Sequence, residues 1–105
     1  MSDFLIALST IDTEPEATRI AKALVEGRLA ACVNILPQVK SVYEWKEEVC
    51  EESEYLLIIK TSQARVEELK AAFEELHPYE VPELVFLPVI DGLPDYLQWI
   101  LTNTK

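Results

Sequence analysis

Residues 4 to 10 form a short apolar run rich in Leu and Ile, the composition of a buried strand, and Thr13-Glu14-Pro15-Glu16 follows it. The Thr-x-x-Glu spacing is that of a capping box and proline suits the first turn, so a helix is predicted to begin there. Ala17, Ile20, Ala21, Leu24 and Val25 then recur at helical spacing, with Gly27 placed to supply the left-handed residue that ends the helix. From Ala30 to Thr61 the pattern changes to β-branched and aromatic residues: Val33 and Ile35, then Val39, Val42, Tyr43 and Trp45, then Tyr55 to Ile59. These predict strands. Pro37 predicts a bulge or bend, and the polar, glycine-free stretch Lys46 to Ser53 is the expected turn region of a long hairpin. Ser62 is placed to cap a second helix, in which Val66, Leu69, Phe73 and Leu76 share a face and which must stop before Pro78. Leu84 to Ile90 predicts a further strand, and a short helix from Pro94 to about Leu101 follows Asp91-Gly92.

The order is strand, helix, strand, strand, helix, strand, with one helix added at the end. It predicts an α+β chain with a ferredoxin-like split β-α-β sandwich, as a single domain over residues 1–105. In that arrangement both main helices lie on one face of an antiparallel sheet, and a solvated second face would make each strand alternate apolar with polar residues. Here Phe4, Ile6 and Leu8 are interleaved with Leu5 and Ala7, Leu57 and Ile59 with Leu56 and Ile58, and Leu84 and Phe86 with Val85 and Leu87. A sheet apolar on both sides needs a second cover, and association with copies of the same chain supplies one.

Composition narrows the function. Half of the 105 residues are apolar and 27% are charged, enough for a packed core. Nine Lys and Arg against nineteen Asp and Glu give a net charge of −10, which repels phosphate backbones and anionic membrane surfaces and attracts cations. No nucleic-acid partner is expected. Cys32 and Cys50 form no C-x-x-C pair, which points to a reducing compartment. No basic residue precedes Arg19, and Leu84 to Ile90 falls far short of the roughly twenty residues of a membrane helix. A cytoplasmic protein without membrane insertion is therefore expected. With two glycines, no phosphate loop and no nucleophile elbow, the chain reads as a binding protein and not an enzyme.

Each candidate for chemistry has a structural counterpart. His77, the only histidine, lies just past a helix end; it is suited to a metal or a proton, but its position favours complementing the helix C-terminus. Cys32 reads as a small buried hydrophobe and Cys50 as the more exposed thiol. Glu44, Glu47, Glu48, Glu51, Glu52 and Glu54 match no calcium-loop pattern and read as charges that keep a hairpin soluble. Lys60 is suited to an anionic ligand or to pairing with a glutamate, and Tyr43, Trp45 and Trp99 to a pocket or an interface.

Ala30-Ala31-Cys32-Val33-Asn34-Ile35, Ser41-Val42-Tyr43-Glu44-Trp45, Ile59-Lys60-Thr61, His77-Pro78-Tyr79-Glu80-Val81-Pro82-Glu83 and Tyr96-Leu97-Gln98-Trp99 together resemble the CutA family of divalent-cation tolerance proteins. The resemblance spans nearly the whole chain. It implies a cytoplasmic homotrimer, similar in architecture to PII signalling proteins, whose partners are its own copies and whose cofactor is copper or another divalent cation. It also implies a metal role for His77. Some bacterial members carry a cysteine implicated in copper binding in the first strand, where this chain has Ser9. The alternative is a PII-like regulatory module in which Trp45, Lys60, Tyr79 and Glu80 converge on a small anionic ligand in clefts between subunits.

Overall fold

The computed structural model describes residues 3–105. Strand β1 (Phe4–Ile11), helix α1 (Glu14–Glu26), strands β2 (Cys32–Trp45) and β3 (Glu48–Ser62), helix α2 (Val66–Leu76), strand β4 (Val85–Pro88) and helix α3 (Pro94–Asn103) follow in that order. The four strands form one antiparallel sheet in the order β2-β3-β1-β4, the ferredoxin-like arrangement expected. Leu5, Ala7, Ser9 and Ile11 of β1 alternate with half-buried neighbours and face the helices. There they meet Leu57 and Ile59 of β3, and Ile20 and Leu24 of α1 and Leu69 and Phe73 of α2 complete a core with almost no exposure. Each such side chain contributes about 1.5–3 kcal/mol by leaving water.

Local chemistry explains most element ends. Thr13 caps α1 by accepting from the Glu16 backbone N–H at 3.4 Å, with Pro15 in the first turn. The Glu16 carboxylate turns to Arg19 instead of back to the cap, which holds its pKa below the usual range. Gly27 does not take the left-handed conformation expected of it: its φ is −80°, and Arg28 at φ 59° is the left-handed residue. The Leu29 N–H to Leu24 carbonyl and Arg28 N–H to Val25 carbonyl bonds make this a Schellman ending. The Arg28 guanidinium offsets this conformation by donating to the Thr102 carbonyl in the last turn of α3 and the Lys105 carbonyl just beyond it.

Further expectations are adjusted by the fold. Ser62 precedes a 3-10 turn, Gln63–Arg65, before α2, and its hydroxyl contacts Thr104 at 2.9 Å instead of capping. Strand β4 is shorter than Leu84 to Ile90, and α3 runs two residues past Leu101. The bulge expected at Pro37 is present as a register shift between Leu36 and Val39, with Gln38 at φ 62°. The hairpin turn is not the eight-residue stretch expected. It is Lys46-Glu47 alone, at φ 52° and 68°, because a two-residue turn with both central residues left-handed matches strand twist. Glu48 to Ser53 are therefore strand, and the β2-β3 ribbon continues past the end of β1, whose last pair is Ile11 with Tyr55.

On the face away from α1 and α2, register lines up Ile6 with Lys60, Cys32 and Leu87, and Leu8 with Ile58, Asn34 and Val85. Val85, Leu87 and Leu36 are about half exposed there. Helix α3 reaches this face at one end, where the Lys60 ammonium sits 5.9 Å from the centre of the Tyr96 ring.

Candidate functional site

At the other end of the open face, the base of the β2-β3 ribbon and the segment after α2 enclose a groove of about 710 Å³. Period-two alternation puts Ser41, Tyr43 and Trp45 of β2 on one side of the ribbon with Glu54 of β3, and the segment after α2 contributes Tyr79, Glu80 and Glu83. The Tyr79 hydroxyl donates to Glu54 Oε2 at 2.6 Å, and burial first, then this carboxylate, push the phenol well above the ordinary tyrosine value. Tyr43 is shifted upward as well, by desolvation and then by Glu52, Cys50 and Glu54. Glu54 was indistinguishable in sequence from the solvated glutamates around it, yet it is 5% exposed.

His77 holds this segment in place. It stands at the C-terminal end of α2, 5% exposed, as its position suggested. Its Nε2 lies 2.8 Å from the Thr10 carbonyl of β1 and its Nδ1 accepts from the Tyr79 backbone N–H at 3.2 Å. A carbonyl can only accept and an N–H can only donate, so this pattern assigns the ring proton to Nε2 and makes the imidazole neutral. The expected complementing of the helix C-terminus is not what the ring does: its bonds tie the segment after α2 to β1, and neither partner is a carbonyl of α2. It packs edge-on to Tyr79, centroids 4.5 Å apart, and at 5.4 Å from Phe73.

Both ring nitrogens are thus engaged, and His77 offers no free lone pair to a metal in this fold. Among the described residues no three His, Cys, Asp or Glu side chains are placed to hold a metal ion. Cys32 and Cys50 do not differ in exposure as expected; both are half-buried. Cys32 lies opposite Lys60 and Cys50 opposite Tyr43, so ten residues of β3, roughly 33 Å, separate them. Ser9 is fully buried toward the helices, its hydroxyl without a partner.

Of the four residues expected to converge on a ligand, Trp45, Tyr79 and Glu80 line the groove. Lys60 of the same chain does not: it is six residues from Glu54 along β3, roughly 20 Å away, beside α3. Without it the lining contains three carboxylates and no Lys, Arg or His, so within one chain an anionic ligand is disfavoured. Tyr43 and Glu83 join the site; alternation from Trp45 backwards was the signal for the first, whereas the second has none in local pattern.

These features define a ferredoxin-like α+β domain with an acidic, aromatic-rimmed groove at one margin of an apolar sheet face. The profile of the family described as CutA1 divalent ion tolerance protein matches residues 5–103, and the chain belongs to that family. It is 50% identical over 99 residues to the divalent-cation tolerance protein CutA of Thermus thermophilus, covering 94% of this chain and 96% of that one. It is 49% identical over 99 residues to mouse CutA, covering 94% of this chain; there the chain spans only 56% of the relative's length. Among solved structures, CutA from Xylella fastidiosa superposes with a TM-score of 0.96 at 39% identity, covering 99% of this chain and all of that one. The Thermus protein superposes at 0.94 with 48% identity, covering 97% and 99% of the two chains. Among the described residues no helix is long and apolar enough to cross a membrane.

Proposed function

We infer that the protein serves divalent-cation tolerance in the cytoplasm as a homotrimer that works by binding and not by catalysis. Three copies cover one another's open sheet faces, and the acidic grooves at the margins of those faces take up copper or another divalent cation. The observation that carries this reading is the juxtaposition of the two surfaces: an apolar row including Leu36, Val85 and Leu87, and a groove lined by Glu54, Glu80 and Glu83. Covering the row removes apolar area from water, and a neighbour placed there borders the groove. The naming of relatives as divalent-cation tolerance proteins supports the metal part. The groove's size favours a second reading, a PII-like regulatory module that takes a small ligand in the same clefts.

Sedimentation equilibrium tests the assembly: three times the 12.0 kDa of one chain is expected, and Leu87→Lys shifts it toward the monomer. A monomeric wild type defeats the trimer. Calorimetric titration with Cu²⁺ under reducing conditions tests the site. Glu54→Gln is expected to weaken binding while His77→Gln leaves the stoichiometry unchanged; the reverse result returns the ligand role to His77.

A further inference from the structure

Glu54 is unusual in how little meets it. Its Oε2 accepts from Tyr79, its Oε1 has no hydrogen-bond partner among the described residues, and no basic side chain is ion-paired with it. Glu54 lines the groove although it is only 5% exposed, so a cation entering there meets a carboxylate oxygen that no other group of the described residues occupies. The groove is far larger than a bare ion and of the size that holds small organic molecules, about 710 Å³. On its rim Tyr43 and Trp45 are 42% and 40% exposed, flat apolar surface left in solvent. The Trp45 ring already attracts an ammonium, for the Lys46 Nζ stands 5.8 Å from its centre.

We propose that the groove binds a linear aliphatic polyamine. One ammonium meets Glu54 Oε1, the methylene stem lies against Trp45 and Tyr43, and further ammonium groups pair with Glu80 and Glu83. Within one chain the described carboxylates do not gather at one point, so a ligand with several charges engages more of this lining than a single metal ion does. Charges spaced along a chain match carboxylates spaced along a groove, and each ammonium–carboxylate contact is a charge-assisted hydrogen bond. The proposal rests on the reading of the groove as the binding site and names the ligand class for it.

The test is calorimetric titration of the full-length protein with spermidine at physiological salt, with Mg²⁺ titrated in parallel and the assembly state checked in the same buffer. Glu54→Gln keeps an acceptor for Tyr79 while removing the charge, and is expected to weaken spermidine about tenfold or more. Trp45→Ala is expected to weaken it about two- to thirtyfold, the span of one cation–π contact. Glu74→Gln removes an equal charge from the exposed face of α2 and is expected to change nothing. Equal weakening by Glu54→Gln and Glu74→Gln, or Mg²⁺ competing as well as spermidine at equal charge, overturns the proposal in favour of diffuse attraction to an acidic surface. Absence of spermidine binding overturns it too. In that case a Cu²⁺ titration still sensitive to Glu54→Gln leaves the groove as a metal site, whereas loss of both dependences removes the groove as a site altogether.

Discussion

Leu57, Ile59 and Thr61, in the second half of β3, are buried between the sheet and the helices, whereas Glu48, Val49, Glu51, Glu52 and Ser53 in the first half are exposed. The backbone ladder to β2 is unbroken through the exposed half, from Val39 with Glu54 to Trp45 with Glu48. The halves differ in pairing as well as burial: from Tyr55 onward β3 is hydrogen-bonded to β1 on one side and β2 on the other, whereas the exposed half is paired with β2 alone. The buried half holds the fold together; the exposed half, stabilised mainly by pairing, leaves Tyr43, Trp45 and Val49 facing water and carries one wall of the groove. Glu54 sits at the junction, packed like the core but charged like the ribbon.

The contrast is broken most severely from the core side. Phe73→Ala should cost about 3–5 kcal/mol in urea unfolding, the range for emptying a packed aromatic site, whereas Val49→Ala on the ribbon should stay within about 0.5 kcal/mol. Next comes the junction. His77→Ala removes an acceptor for the Tyr79 N–H, a donor for the Thr10 carbonyl and a buried ring, and should cost about 2–4 kcal/mol in the same measurement. Stability as insensitive to this change as to Val49→Ala would deny His77 its structural role.

Tyr79→Phe is a smaller perturbation, expected at about 1.5–3 kcal/mol because it strips a donor from the Glu54 carboxylate. It also has a pH signature. The folded protein holds the Tyr79 proton more tightly than the unfolded chain does, so this contribution is complete below the ordinary tyrosine value of 10.0 and is lost as the pH rises above it. Thermal melts of the wild type should fall through that range more steeply than those of Tyr79→Phe. The smallest effect has the opposite sign. Glu47 at φ 68° pays for a conformation that suits glycine, so Glu47→Gly should stabilise the ribbon by about 1 kcal/mol while leaving the core untouched.

The sites where sequence and structure part follow the same division. The helix start at Thr13, the stop before Pro78 and the bulge after Leu36 were legible because each depends on sterics and hydrogen bonds within a few residues. The turn was misplaced because Lys46 and Glu47 carry none of the glycine or asparagine that normally marks left-handed positions. Arg28 went unseen as the helix-ending residue for a related reason: its compensation comes from carbonyls 74 and 77 residues away.

Periodicity and capping thus determined from sequence alone the order of the elements, the ferredoxin-like class and the second apolar face, since period 2, period 3.6 and cap chemistry are local properties of the chain. Tertiary structure decided what those elements bring together. The hairpin register placed Tyr43, Trp45 and Glu54 on one side of the ribbon, and the return of the chain after α2 set Tyr79 against Glu54 while leaving Lys60 at the far end of the sheet. The same return spent both nitrogens of His77 on backbone partners, one of them 67 residues distant. A side chain's residue type states which bonds it is able to make, but only register and packing, which depend on the whole chain at once, determine which partners are within reach.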